Sequence, residues 1–99
     1  MEIRIQAIRF DATEKLNEFA RKKVEKLQKT FEDIMLVELQ MKVVKPASAL
    51  NKEVGLTVNV PGDKLYVEKS CDTFEESIDL CVDAMKGQLM KFKEKLRGR

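Results

Sequence analysis

The spacing of apolar residues switches repeatedly between two periods, and the switches divide the chain into elements. Ile3, Ile5 and Ala7 alternate with Arg4, Gln6 and Ile8, the pattern of a strand whose successive side chains point to opposite faces. Phe10 or Asp11 ends it. Asp11-Ala12-Thr13-Glu14 offers a capping box, and the Thr13 hydroxyl alone can accept from a free first-turn amide, so a helix is expected from Glu14 to about Lys29. Leu16, Ala20, Val24, Leu27 and Phe31 share one narrow arc of that helix, whereas Lys15, Lys22, Lys26 and Lys29 share the roughly opposite one. After Asp33 the alternation returns. Met35, Val37, Leu39, Met41 and Val43 face one way and Leu36, Glu38, Gln40 and Lys42 the other, which predicts the longest strand.

Residues 45–52 read as a loop, because Pro46 lacks a ladder donor and small or polar residues follow it. Val54, Leu56, Val58 and Val60 alternate with Glu53, Gly55, Thr57 and Asn59, and Pro61-Gly62-Asp63 then turns the chain into Leu65-Tyr66-Val67, a hairpin. Asp72 and Thr73 are N-cap candidates, each with a glutamate three residues on, for a final helix from Phe74. Its expected buried stripe is Phe74, Ile78, Cys81, Val82, Met85, Leu89, Phe92 and Leu96. The order is β-α-β-β-β-α. Each strand offers one consistently apolar face, so the fold class is α+β: a four-stranded sheet with both helices packed on one face, in a single domain spanning residues 1–99. The first helix can carry the crossover between parallel strands, and the later strands can pair antiparallel.

Charge changes the picture more than composition does. The formal net charge is only +2, yet residues 13–31 carry six bases against three acids, residues 32–85 five against eleven, and residues 86–99 six against one, Glu94. The two basic segments lie on helices whose other faces are apolar, so the cations are displayed on the outside. If the helices are neighbours, their cations form one patch away from the sheet. Such asymmetry points to a polyanionic partner, nucleic acid first and an anionic membrane surface second. The bland alternative is a solvated face. Glu75, Glu76, Asp79 and Asp83 at the start of the last helix, with cations at its end, are also what the helix dipole favours.

Catalytic chemistry finds little to use. There is no histidine, so Ser-His and Cys-His nucleophile pairs and His-ligated metals are excluded; the four glycines are isolated rather than forming a phosphate loop. Glu75 and Asp79 are spaced as a solvated helical pair. Cys71 and Cys81 are too few for a zinc site and are expected to be reduced, Cys81 in the core and Cys71 ahead of a helix where a thiol could be somewhat activated. The methionines read mostly as core filler, Met90 excepted, which falls between Lys86 and Lys93 on the outer face. No apolar run reaches the roughly 20 residues needed to span a bilayer, and the N-terminus alternates instead of forming a signal-peptide core, so a cytoplasmic location is expected. No enzyme activity, cofactor, metal, membrane or small-molecule substrate is expected.

Two spaced motifs carry a resemblance over the whole chain. They are Leu16-x-x-Phe19-x-x-x-Lys23-Val24-x-Lys26-Leu27-x-x-x-Phe31 and Ile78-Asp79-x-x-x-Asp83-x-x-x-x-Gln88-Leu89-x-Lys91-x-Lys93-x-Lys95-Leu96. In these the chain resembles the ribosome hibernation promoting factors, also called ribosome-associated translation inhibitors or sigma-54 modulation proteins. The resemblance implies a fold similar to the double-stranded RNA-binding domain. It also implies a factor that occupies the mRNA and tRNA channel of the small ribosomal subunit at the A and P sites, on 16S rRNA, and inhibits translation in stationary phase or stress, with an additional hibernation factor as a possible partner. Lys23, Lys26, Lys91, Lys93 and Lys95 match basic positions of the family, and Lys22, Lys86 and Arg97 join them through helical geometry. Two positions depart from the pattern: Gly87 stands where a basic residue is usual and Ala84 where one is frequent. With its end at Arg99 the chain resembles the short form, which lacks the dimerising C-terminal domain of long members. Two other classes fit part of the sequence. A general double-stranded-RNA-binding module would use the same ridges, whereas an acylphosphatase, of similar length, ends on a strand instead of a helix.

Overall fold

The structure, a computed structural model, describes residues 1–44 and 50–98. Strand β1 (Glu2–Ile8) leads into helix α1 (Glu14–Glu25) and a one-turn helix α2 (Leu27–Thr30). Strands β2 (Leu36–Val43), β3 (Lys52–Val60) and β4 (Asp63–Cys71) precede the long helix α3 (Phe74–Arg97). The sheet order is β1-β2-β3-β4, with β1 parallel to β2 and the other neighbours antiparallel. That is the expected architecture.

In-register rows make the core face of the sheet. Ile5, Leu39, Leu56 and Val67 are successive partners across all four strands, as are Ile3, Val37, Val58 and Leu65. A one-residue slip would turn every one of these side chains to the other face, so the apolar alternation locks the register. Ala20, Val24 and Leu27 from the first helical segment and Ile78, Cys81, Val82, Met85 and Leu89 from α3 close over them. The opposite face, with Glu38, Gln40, Lys42 and Tyr66, carries no helix among the described residues. There the Tyr66 ring lies over Gly55, where a β-carbon would come within 2.8 Å of its hydroxyl.

The turn chemistry explains the boundaries. Thr13 Oγ accepts from Leu16 N–H at 3.1 Å, and Thr73 Oγ from Glu76 N–H at 3.1 Å, so a threonine caps each of α1 and α3; Asp72 accepts instead from Leu50 N–H at 2.8 Å. Only Pro61 and Gly62 separate the paired residues Val60 and Asp63, and Gly62 has φ 84°; with proline fixing the preceding φ near −65°, this is a type II turn, which needs a residue without a side chain at that point.

Several expectations need correction. The first helix does not run unbroken to Lys29: Lys26 N–H donates to Lys23 O at 3.3 Å, a tightened i to i−3 bond that ends α1 before α2 begins. Arg9 adopts φ 63° in the left-handed region, so β1 stops at Ile8, short of Phe10. Phe10 stacks instead on Phe74, with ring centroids 4.9 Å apart. Met35 lies outside β2 and is exposed, as is Val43 at its far end, because the core covers only the middle of that strand; β2, with 8 residues, is thus not the longest strand, β3 and β4 having 9 each. Lys52 belongs to β3, not to the loop, and residues 45–49 of that loop lie outside the described residues. Leu96 is 54% exposed. The apolar cover of α3 ends at half-buried Phe92, whose ring meets Phe31 edge-on at 5.5 Å.

Candidate nucleic-acid interface

Packing decides where each cation goes. Lys15 and Lys22 on α1, and Lys26 at its C-cap, are exposed, opposite the buried Ala20 and Val24. Lys23 lies at the margin between the helices, its ammonium 3.0 Å from Asp79 Oδ1 and 5.3 Å from the Phe19 ring centroid. Lys23 is therefore partly neutralised by α3, and its contribution to a polyanion site is shared with a carboxylate.

On α3 the cations separate into two groups. Lys93 and Arg97, together with Met90 and Glu94, border a cleft of about 350 Å³ whose other wall is Lys29 and Thr30 of α2. Lys86, one and two turns before Met90 and Lys93, extends this flank toward the N-terminal half of the helix. Lys91 and Lys95 turn the other way. They border a second cleft of about 230 Å³ with Asp63 and Leu65 of β4 and Gln88 and Phe92 of α3 itself. The structure thus brings Lys93 and Arg97 to the α1–α2 side and sets Lys91 and Lys95 on the hairpin side. Lys86 and Lys93 are half-buried, whereas Lys91, Lys95 and Arg97 are exposed.

Residues beyond the expected set shape the site. Lys29 belongs to the lysine ridge that periodicity reveals but lies outside the motif positions; only the packing of α2 on α3 sets it across from Lys93 and Arg97. Gln88, a motif residue with no charge, donates from Nε2 to the Tyr66 carbonyl at 3.2 Å. It thereby ties the cationic half of α3 to β4, the last strand of the sheet, and satisfies a carbonyl on that strand's open edge. Ser77 is fully buried, its hydroxyl 2.6 Å from Lys52 O and 3.1 Å from Thr73 O. A polar residue amid an apolar stripe gives no sequence signal for this role.

Neither thiol is exposed. Cys81 packs in the core with Sγ 3.3 Å from Val54 O, and burial pushes its thiol up to about 12. Cys71 is buried at the end of β4 rather than presented ahead of α3. Among the described residues no three His, Cys, Asp or Glu side chains come together as metal ligands, and no helix is long and apolar enough to cross a membrane.

A sheet with one face that carries no helix among the described residues, and a pair of helices that display lysines along clefts rather than converging acids and bases, define a small α+β binding domain. The family of sigma 54 modulation protein / S30EA ribosomal protein matches residues 3–97, and the chain belongs to it. A ribosome hibernation promoting factor of Azotobacter vinelandii is 28% identical over 95 residues, covering 96% of this chain and 85% of the relative. A ribosome hibernation promotion factor of Picosynechococcus is 29% identical over 101 residues; the alignment takes in 100% of this chain and 52% of that protein, so the chain spans about half its length. Two solved structures share the fold. A ribosomal subunit interface protein from Coxiella burnetii has a TM-score of 0.84 at 23% identity, covering 95% of this chain and 99% of that one. The N-terminal domain of Thermus thermophilus Protein Y has a TM-score of 0.79 at 19% identity, covering 93% and 99%.

Proposed function

We propose that the protein is a ribosome-associated hibernation factor. It binds 16S rRNA of the small subunit in the channel used by mRNA and tRNA at the A and P sites, through the cationic sides of α1, α2 and α3. There it inhibits translation in the cytoplasm of stationary or stressed cells by occupancy, without catalysing a reaction. The observation that carries the reading is the meeting of Lys29 from one helical segment with Lys93 and Arg97 from another across a single cleft, in a chain of this family. Cations fixed on two packed helices hold a constant spacing. They can match the spacing of phosphates and position the protein by shape and charge without reading base sequence. Lys22, Lys26, Lys86, Lys91 and Lys95 extend the contact.

The inhibitory step follows from size and location. A rigid body 49 × 23 × 18 Å in extent, seated in that channel, excludes mRNA and tRNA from the same space. Sedimentation of the protein with purified small subunits over a series of salt concentrations tests the reading. The expected result is co-migration at low salt with a steep loss as salt rises, and inhibition of a cell-free translation system over the same protein range. Protein that stays at the top of the gradient at low salt would remove the ribosomal reading. Equal retention by protein-free duplex RNA would favour a general duplex-RNA module instead.

A further inference from the structure

Resting on that ribosomal reading, we infer that the C-terminal half of α3 lies lengthwise between two separate RNA phosphate backbones, one along Lys86, Lys93 and Arg97 and the other along Lys91 and Lys95. The buried line of α3 runs through Cys81, Met85 and Leu89. At about 100° per residue, Lys86, Lys93 and Arg97 fall within an arc of about 40°, Lys91 and Lys95 within a second of about 40°, and the arc centres stand about 160° apart. The clefts confirm the division in three dimensions, since one flank faces Lys29 and Thr30 and the other faces Asp63 and Leu65.

Between the flanks runs the outward line of the helix, which is unsuited to phosphate. Asp83, Gly87 and Glu94 occupy it, all three exposed, and none brings a positive charge. A single backbone reaching both lysine groups would have to cross this line over the Glu94 carboxylate. Two backbones, one on each flank, meet mainly cations, with one carboxylate at each cleft, Glu94 at the rim of the first and Asp63 across the second. The outward line then faces what lies between them, riboses and base edges, where 2′-hydroxyls and amino groups can donate to Glu94 and where Met90, 55% exposed, offers apolar contact. Gly87 fits this arrangement. A β-carbon there would meet nothing within 4 Å in the fold, so packing within the protein does not require the glycine, and its bare backbone lets the groove floor come close.

Photo-crosslinking distinguishes the two geometries. Lys93→Cys and Lys95→Cys, each in the full chain, are labelled with a short thiol-reactive photo-crosslinker, bound to purified small subunits at low salt, irradiated, and mapped by primer extension on 16S rRNA. Labelling without either introduced cysteine controls for the buried native thiols. Each substitution removes one phosphate contact and should lower the salt slope by about one unit while leaving binding measurable. The expected result is two non-overlapping runs of crosslinked nucleotides. Crosslinks from both positions to one run, or a position that crosslinks to nothing in a protein that still co-sediments, would overturn the two-backbone geometry while leaving the ribosomal reading in place. Failure of the unsubstituted chain to co-sediment would instead remove that reading and this geometry with it.

Discussion

Lys23 and Asp79 join the two long helices through an ion pair of 3.0 Å. Both side chains remain partly solvated, so the pair contributes about 0–1 kcal/mol to stability. Its larger consequence is electrostatic, because it holds a carboxylate beside the cations of α1. Asp79→Asn is therefore expected to change thermal stability little and to tighten small-subunit binding several-fold at low salt, which a binding titration would measure. Lys23→Gln is expected to weaken it by less than substitutions at unpaired lysines do. Looser binding by Asp79→Asn would show that the pair sets helix geometry rather than moderating charge.

The helical cations should matter in a way that net charge does not. Lys26→Gln with Lys93→Gln is expected to lower small-subunit affinity about tenfold or more at moderate salt and to reduce the salt slope by about two units. Lys42→Gln with Lys64→Gln removes equal charge from the other face of the sheet and should do much less, the 3.1 Å ion pair that Lys42 makes with Glu53 being half-solvated and contributing about 0–1 kcal/mol to stability. Lys52 is unsuitable as a control, since its ammonium donates to Asn51 Oδ1 at 2.9 Å and its carbonyl accepts from Ser77. Equal losses from the two pairs would relocate the site.

Gly87→Ala should stabilise the protein by about 0.5–1 kcal/mol, because the position is mid-helix and open to solvent. A thermal melt should register a rise of about 4–8 °C per kcal/mol for a domain of this size. No rise would mean that α3 is not helical through this turn in solution.

Ser77→Ala should destabilise by about 1–2 kcal/mol, since the Lys52 carbonyl loses the hydroxyl that reaches it within the fold. Denaturant unfolding would read the loss. An unchanged midpoint would mean that water replaces the hydroxyl at no cost.

Cys81 gives stability an alkaline dependence. Its folded thiol is held up to about 12, against an ordinary value of 9.0, chiefly by burial. Between those values the unfolded chain has released the proton and the folded one has kept it, so this group's contribution is full below pH 9 and is lost as pH rises toward 12. Paired melts of the unsubstituted chain and Cys81→Ala should show a difference that narrows or reverses over that range. A constant difference would mean that Cys81 titrates alike in both states.

Periodicity settled the elements because each half-buried strand must alternate and each packed helix must repeat near every third or fourth residue. The rows through Ile5, Leu39, Leu56 and Val67 follow from alternation once the parallel crossover is drawn, and Thr13 and Thr73 were legible as caps from residue type and spacing. Boundaries were less legible. Met35 and Leu96 keep the period yet are exposed, because the period tells which way a side chain points and not how far the opposing layer extends.

The candidate site divides along the same line. From the sequence alone came the identity of its cations, their helical location and the family motifs that join them, all properties of residue type and local spacing. Only the tertiary structure set Lys29 across from Lys93 and Arg97, turned Lys91 and Lys95 toward the hairpin, and gave Lys23 to Asp79. The physical reason is that charge along a helix is a local quantity, whereas the partner each charge faces depends on how far apart the helices pack and how each is rotated. Those distances and rotations are fixed by contacts such as Phe31 on Phe92, between residues 61 positions apart in the chain.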